Sequence, residues 1–309
     1  MCYSAMIEAS VKELASRYQA RVDSEAFVGL FEEQEQSGGL KLLKGLESFG
    51  ESLPPEPARR WRERLDRLRD LQSSAWLEEL AEQEARLLRA QERRIRSESK
   101  AVLNEIRIAG NKVRQIRERI EELGQPSSVS GERIFPGVYA PLMVWHEGER
   151  WIRPFRYRLR PAGEPESFDR KFDGTYNIRR DRLNEVRWWK GLYGRQHAVL
   201  VMRRFYEHVA GPEGGSCILE FREEQEEDLL VPCLFDHNDS GQRRLASFGL
   251  ITDDPNPEVL AAGHDRTPLV IRFESMDRWL NTRSSRSPRD FDAILAEKRP
   301  TRFIHRLTT

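Results

Sequence analysis

The second residue of the chain, Cys2, has the position that most directly suggests chemistry. A small side chain after the initiator permits removal of Met1, which would leave a primary amine and a thiol on adjacent carbons. Their ordinary pKa values, about 7.7–8.0 and about 8.5, leave part of each group nucleophilic near neutrality. An aldehyde could form an imine with the nitrogen, and the sulfur could then close a five-membered thiazolidine ring. On its own, a cysteine at this position is more often incidental than catalytic.

Three distant segments carry further groups that could bind a substrate or transfer protons. They are YNIRRD at 176–181, VMRRFYE at 201–207 and HDRTP at 264–268. Each adjoins a strand-like run, which could hold its side chains rigidly. Taken singly, each also has a structural explanation. Asn177 could cap a helix, Glu207 could pair with a neighbouring arginine, and His264 could be held in a loop by a hydrogen bond.

Taken together, these segments and the N-terminus resemble the SOS response-associated peptidase (SRAP) family. That family begins Met-Cys and then carries Asn-x-Arg, aromatic-aromatic-Glu and His-x-Arg-x-Pro segments in that order. The matching residues here are Met1-Cys2, Asn177-Ile178-Arg179, Phe205-Tyr206-Glu207 and His264-Asp265-Arg266-Thr267-Pro268. The resemblance covers about residues 1–35 and 128–280.

The resemblance implies covalent capture of abasic sites in single-stranded DNA. Cys2 would be the nucleophile that traps the ring-opened sugar aldehyde, and Asn177 would orient the cysteine or its adduct. Glu207 would act as general acid and base, and His264 would move protons or hold the sugar hydroxyl. Members of the family are also proposed to remove their own Met1. This chemistry needs neither a metal nor an organic cofactor.

The resemblance also implies phosphate contacts from two arginines. Arg179 and Arg266 would hold the phosphates that flank the lesion, which positions the DNA without reading its sequence. The family commonly continues Met-Cys-Gly-Arg, whereas Tyr3-Ser4 follow here, so the local backbone and one phosphate contact differ. Asp181 stands where the family usually has Glu.

The charge distribution is compatible with a nucleic-acid partner without requiring one. The 51 basic and 51 acidic residues balance over the whole chain. Residues 150–204, however, contain 15 Lys or Arg against 6 Asp or Glu. Such an excess suits a polyanion, and it suits a salt-bridged, solvated surface equally well.

The secondary-structure elements that must position these residues are helical in the first part of the chain and strand-like in the second. A helix is predicted over residues 11–33, and the stretch 58–123 has apolar residues at the spacings of long helices packed along one seam. That stretch predicts an antiparallel helical hairpin or an oligomerising coiled coil, with a reversal near Ser97–Ser99 or around Gly110. After about residue 128 the texture is strand-like. We therefore predict an α/β (α+β) fold, in which residues 1–35 and 128–309 form an SRAP-like β-rich core and residues 36–127 form a charged helical insertion.

Other classes of protein are disfavoured, and two alternative functions stay open. No phosphate-binding loop, HExxH or GxSxG motif occurs, and the six histidines lack metal-ligand spacing, so no metal is expected. No signal peptide or membrane span is expected, which predicts a cytoplasmic protein. The open alternatives are a cysteine peptidase acting on other substrates and a non-catalytic scaffold that uses its helices. Residues 58–123 are expected to bind a protein partner or a second copy of the chain.

Overall fold

The computed structural model describes residues 4–35, 50, 53, 55–97, 99–123, 132–211, 215–238, 245–283 and 287–308. The chain divides into two compact units. We call one the β unit (Met1–Leu30, Lys41–Leu53 and Val129–Thr309) and the other the helical unit (Phe31–Leu40 and Pro54–Ser128). The domain boundaries expected from the sequence, 35/36 and 127/128, remain a prediction, because a division by contacts does not show which part folds alone.

The β unit holds the strands and the shorter helices. Its strands are β1 (Ser4–Ile7), β2 (Arg21–Val22), β3 (Glu132–Ile134), β4 (Tyr139–His146), β5 (Glu149–Tyr157), β6 (Asn177–Arg179), β7 (His197–Met202), β8 (Arg204–Ala210), β9 (Ser216–Glu223), β10 (Leu229–Asn238), β11 (Leu245–Asp253), β12 (Thr267–Pro268) and β13 (Phe303–Leu307). The helices that begin in it are α1 (Val11–Arg17), α2 (Ser24–Glu35), α5 (Ser167–Lys171), α6 (Arg187–Leu192), α7 (Pro257–Ala261), α8 (Met276–Leu280) and α9 (Pro288–Ala296).

Five strands of the β unit close into a barrel-like ring. The antiparallel neighbours run in the order β5-β4-β7-β10-β11, and β11 then pairs in parallel with β5 at Ser247 and Phe248. Strands β4 and β5 form a hairpin whose two turn residues, Glu147 and Gly148, both have positive φ, as the tight turns that match strand twist require. β7 is buried at every position, so its apolar run HAVLVM fills the core instead of alternating with solvent.

A second sheet of the β unit has the strand order β13-β9-β8-β1-β3 among the described residues. Side chains alternate between the two faces of a strand, and in β8 Phe205, Glu207 and Val209 share one buried face. On that face Phe205 stacks on Phe221 of β9 with ring centroids 5.0 Å apart. Glu207 is therefore a carboxylate on the apolar face of its sheet, 1% exposed.

The helix predicted over residues 11–33 is wrong in its middle. α1 is capped by a reciprocal Ser10–Glu13 box and ends at Arg17, and Gln19 follows with φ 49°. The next residues, Arg21 and Val22, pair with β5 before α2 begins. Pairing at the sheet edge therefore outweighs the helical periodicity in this segment.

The helical unit is an antiparallel hairpin of α3 (Pro55–Arg96) and α4 (Lys100–Leu123). The predicted reversal near Ser97–Ser99 is confirmed, and Gly110 lies inside α4. Ion pairs join the two helices both beside their reversal and farther from it, as an antiparallel hairpin requires. They are Arg93–Glu105, Glu79–Lys112 and Glu84–Arg117. The predicted fold class is confirmed: an α/β protein with a barrel-like β core and long helices.

Candidate active site

The structure brings two of the predicted site residues into direct contact. Nε2 of His264 lies 3.3 Å from Oε2 of Glu207, and both side chains are largely withdrawn from solvent. Glu207 comes from β8 of the second sheet, whereas His264 precedes β12 of the barrel sheet. The contact therefore joins two sheets of the β unit at one point.

The two contacts of Nδ1 bear on which nitrogen of His264 carries the proton. Nδ1 lies 2.9 Å from the carbonyl oxygen of Arg266, which can only accept, and 3.3 Å from the Arg266 amide, which can only donate. We take the shorter contact as the hydrogen bond, so Nδ1 donates and Nε2 needs a proton from Glu207 or one of its own. If Nδ1 accepted instead, Nε2–H would donate to the carboxylate. In either arrangement the imidazole and the carboxyl group lie close enough to exchange a proton.

Burial favours the neutral imidazole. It lowers the pKa of His264 below the ordinary value, and this effect outweighs the hydrogen bond to the Arg266 carbonyl, which acts in the opposite direction. A neutral imidazole facing a carboxyl group is suited to pass a proton in either direction near pH 7.

The loop that presents His264 is fixed by the end of α7. Pro257 starts this helix, Val259 is fully buried, and the helix ends at Ala261 with Ala262 as its C-cap. Gly263 follows with φ 92°, a conformation that glycine adopts without strain. The amide of His264 then donates to the Val259 carbonyl at 3.1 Å, and this hydrogen bond fixes the backbone position from which the imidazole extends.

Asn177 lies on β6 and is 2% exposed. β6 runs parallel to β11, with Asn177 level with Leu250 and Arg179 level with Thr252. The two segments approach closely at Gly249, where a Cβ atom would lie 2.8 Å from the Thr175 carbonyl oxygen. Any side chain at Gly249 would therefore displace the segment that carries Asn177.

Arg179 and Arg266 meet at Asp181. Asp181 accepts from Arg179 at 2.6 Å through Oδ2 and from Arg266 at 3.0 Å through Oδ1. The hydrogen bond from Arg179, with the nearby charge of Arg266, lowers the pKa of Asp181 to about 2. Arg266 is buried, whereas Arg179 and Asp181 are about half exposed. An anion that binds the two guanidinium groups must therefore compete with Asp181.

Ser4, the first described residue of β1, lies beside the part of β8 that carries Glu207. It pairs with Tyr206, and the following residue of β8 is Glu207. On the opposite face of the sheet, Arg133 of β3 donates through Nε to Ser4 Oγ at 2.7 Å, and its guanidinium lies 3.7 Å from the centroid of the Tyr206 ring. Cys2 lies outside the described residues.

The predicted site residues thus form two groups. Glu207 contacts His264, and Arg179 and Arg266 share Asp181, while Asn177 lies two residues before Arg179 on β6. Sequence reasoning missed the bridging role of Asp181, although its place two residues after Arg179 was a usable signal. It also missed Arg133, because pairing of β1 with β3 has no local signature in the sequence.

The basic stretch 150–204 is extensively ion-paired. Arg156 and Arg160 both bind the buried Asp169, Arg150 binds Asp277, and Arg180 binds Asp253. Asp277 and Asp253 lie outside the stretch and so offset part of its excess of positive charge, whereas Asp169 lies within it. Among the described residues, no group of three or more His, Cys, Asp or Glu is arranged to hold a metal ion. In the part of the chain described, no helix is long and apolar enough to cross a membrane.

Comparisons with known proteins point to one family. The family model "SOS response associated peptidase (SRAP)" matches residues 106–306, more than half of the chain. No curated protein matches it. Two crystal structures are similar. A protein from Bacteroides thetaiotaomicron has 14% identity and a TM-score of 0.47, covering 57% of this chain and 77% of its own. A protein from Bordetella bronchiseptica has 17% identity and a TM-score of 0.48, covering 57% of this chain and 87% of its own. On the family match, the chain belongs to the SOS response associated peptidase family.

Proposed function

We propose that this protein captures abasic sites in single-stranded DNA covalently, through the amine and thiol that Cys2 gains when Met1 is removed. The observation that carries the proposal is the contact between Glu207 and His264, 3.3 Å apart, beside the start of β1. It supplies a transferable proton next to the segment that bears the nucleophile.

Covalent geometry limits how far Cys2 can be from this pair. Two residues span at most about 7 Å of chain, so the Cys2 Cα lies within about 7 Å of the Ser4 Cα. Ser4 is level with Tyr206, the neighbour of Glu207. A nucleophile within that reach can share a substrate with the carboxyl group.

Each step of the proposed reaction needs a proton moved at a defined atom. The abasic sugar opens when a base takes the hydrogen of its anomeric hydroxyl and an acid protonates the ring oxygen, which yields the aldehyde. The amine of Cys2 adds to the carbonyl carbon, and protonation of the resulting hydroxyl releases one water as the imine forms. The thiol then adds to the imine carbon, and its proton ends on the nitrogen of the thiazolidine. The proton between Glu207 and His264 serves these transfers.

Removal of Met1 uses the same groups in this proposal. Either a water attacks the Met1 carbonyl directly, or the thiol of Cys2 attacks it and holds the methionyl group as a thioester that water then hydrolyses. Glu207 and His264 accept and return the proton, methionine leaves, and the amine of Cys2 is freed. A cysteine peptidase acting on other substrates is the rival function, since the family description names a peptidase. Cleavage of unrelated peptides that is lost in Cys2→Ala would favour it. A non-catalytic scaffold would instead retain Met1.

Arg179 and Arg266 would hold the phosphates on either side of the lesion. Guanidinium groups bind phosphate oxygens through paired N–H donors. Their shared partner Asp181 is half exposed, so a phosphate can displace it from Arg179. Phosphate contacts of this kind position the DNA and leave its sequence unread.

The experiment that tests the proposal compares two oligonucleotides on a denaturing gel after heating. One carries an abasic site with its aldehyde, and the other carries the tetrahydrofuran analogue, which cannot open to an aldehyde. We expect a heat-stable protein–DNA adduct with the first oligonucleotide alone. An adduct with the tetrahydrofuran analogue, or none with either, would exclude imine and thiazolidine chemistry.

A further inference from the structure

The outer face of α3 carries exposed apolar side chains that the helical hairpin does not cover. Leu77, Leu88 and Ile95 are 52%, 61% and 88% exposed. They are spaced by eleven and seven residues, close to three and two helical turns, so they lie within about 20° of one another around the helix. Ala81 and Ala85 are exposed between them, and the exposed Glu92 is the one charged side chain in the same arc of the helix between Leu77 and Ile95. Ala90, by contrast, is buried on the other side of α3.

The acidic and basic side chains beside this apolar stripe lie at different ends of it. Glu78 and Glu82 flank its N-terminal half, and Arg89 and Arg96 flank its C-terminal half. At 100° per residue these four side chains lie on the same flank of the stripe, within about 40° of one another. All four are exposed. One edge of the stripe is therefore acidic at one end and basic at the other.

We propose that this stripe binds the same stripe of a second copy of the chain. A two-fold axis near residues 86 and 87 relates the two copies. In that antiparallel arrangement Leu77 of each copy lies opposite Ile95 of the other, and Ala85 lies opposite Leu88. The two-fold axis also keeps the charged flanks on the same side. Glu78 then faces Arg96 of the second copy, and Glu82 faces Arg89.

A parallel pairing does not satisfy the same charges. A two-fold axis along the helices would turn the charged flanks of the two copies to opposite sides of the pair, so Glu82 and Arg89 of one copy would face neither of these residues in the other. An antiparallel pair buries the three large apolar residues and matches unlike charges along one edge. A self-complementary surface of this kind is what a two-fold dimer requires.

The test is the molar mass of the full-length protein, measured by light scattering across a range of concentrations, with Leu88→Glu as the first variant. We expect the mass of two chains for the unmodified protein and of one chain for Leu88→Glu. Leu88 is mostly exposed, so unchanged helical circular dichroism will show that the hairpin remains folded. Leu71→Glu is the matched control, because Leu71 is 50% exposed on the same helix but lies beyond the end of the proposed overlap.

Charge reversal tests the antiparallel direction independently. Glu82→Arg and Arg89→Glu should each weaken the dimer about tenfold or more, because each places like charges opposite one another in both halves of the pair. The double variant should restore the dimer. A parallel dimer would not show this loss and rescue, since its two charged flanks would lie on opposite sides of the pair.

A single-chain mass at every concentration would overturn the proposal and leave the stripe to a different protein. A dimer that survives Leu88→Glu would also overturn it, because another surface would then hold the copies together. Failure of the double charge reversal to restore a dimer that both single changes weaken would reject the antiparallel register.

Discussion

Oε2 of Glu207 lies 3.3 Å from Nε2 of His264, close enough for the carboxyl group and the imidazole to exchange a proton. The carboxyl group lies on the apolar face of one sheet, and the turn after α7 holds the imidazole against it. Burial lowers the pKa of His264, which keeps the proton available to substrate instead of fixed on an imidazolium.

Replacing the carboxyl group should slow adduct formation far more than it weakens DNA binding. We expect Glu207→Gln to reduce the rate of adduct formation by about 10²-fold or more, because general acid–base catalysis typically contributes 10²–10⁴-fold. Single-turnover gel assays give the rate, and fluorescence anisotropy gives the affinity. Glu220→Gln is the control, since Glu220 is another buried carboxylate of the same sheet but binds Tyr206 and two arginines instead. Equal rates for the unmodified protein and Glu207→Gln would remove Glu207 from the chemistry.

Neutralising Asp181 should tighten DNA binding. The carboxylate competes with phosphate for Arg179 and Arg266, and its pKa of about 2 keeps it charged at any ordinary pH. We expect Asp181→Asn to raise the affinity for single-stranded DNA about twofold to fivefold, since exposed ion pairs are worth about 0.2–1 kcal/mol. Glu185→Gln, which changes the charge equally on the same segment, should have no such effect. Weaker binding by Asp181→Asn would mean that the carboxylate orders the arginines for DNA.

Arg133 should contribute a phosphate contact near Cys2. Its guanidinium is held by Ser4 and by the Tyr206 ring, and Ser4 occupies the position where the family usually has arginine. We expect Arg133→Gln to lower the affinity for single-stranded DNA. It should also reduce the slope of log affinity against log salt by about 0.7, the value for one phosphate contact on a single strand. Arg306→Gln removes a charge at the opposite edge of the same sheet and should leave the slope unchanged. An unaltered slope in Arg133→Gln would confine Arg133 to a structural role.

A buried histidine should make the fold sensitive to acid. Burial lowers the pKa of His197 to about 3, and this effect outweighs the hydrogen bond to the Trp279 carbonyl, which acts in the opposite direction. In this neutral state Nδ1 donates to the Trp279 carbonyl and Nε2 accepts from the Gly194 amide. The unfolded chain, with an ordinary pKa of about 6.5, binds the proton first as the pH falls. The free energy of unfolding should therefore drop below pH 6.5 by up to about 1.4 kcal/mol per pH unit from this residue.

Urea titrations between pH 7 and pH 5 check this expectation. His197→Gln should be less stable at pH 7 but should lose less stability on acidification. His264 contributes in the same direction as His197, because its pKa is also lowered. A pH dependence unchanged in His197→Gln would contradict the argument.

The helical hairpin was predictable because local spacing determines it. The seam of apolar residues and the turn-forming serines identify two long helices and their reversal without any distant contact. The ring β5-β4-β7-β10-β11 was not predictable, because its closure depends on β11 meeting β5 across almost a hundred residues of sequence. For the same reason the helical periodicity of residues 11–33 misled us, since Arg21 and Val22 join β5.

The residues of the site could be predicted from the sequence, but the contacts between them could not. The motifs containing Glu207 and His264 identified two of its groups, but only the packing of two sheets shows which atoms touch. Asp181 illustrates the remaining gap. Its charge is evident in the sequence, yet its position between Arg179 and Arg266 depends on β6 lying beside β11 and on the turn before β12.

The chemistry of Cys2 is tested most directly by the intact mass of the purified protein, recorded before and after incubation with single-stranded DNA that carries one abasic site. The account predicts a chain that lacks Met1 and gains the mass of the oligonucleotide less one water, as ring closure to the thiazolidine requires. It also predicts no gain for Cys2→Ala. A processed chain that gains no mass, or an adduct that persists in Cys2→Ala, would contradict it.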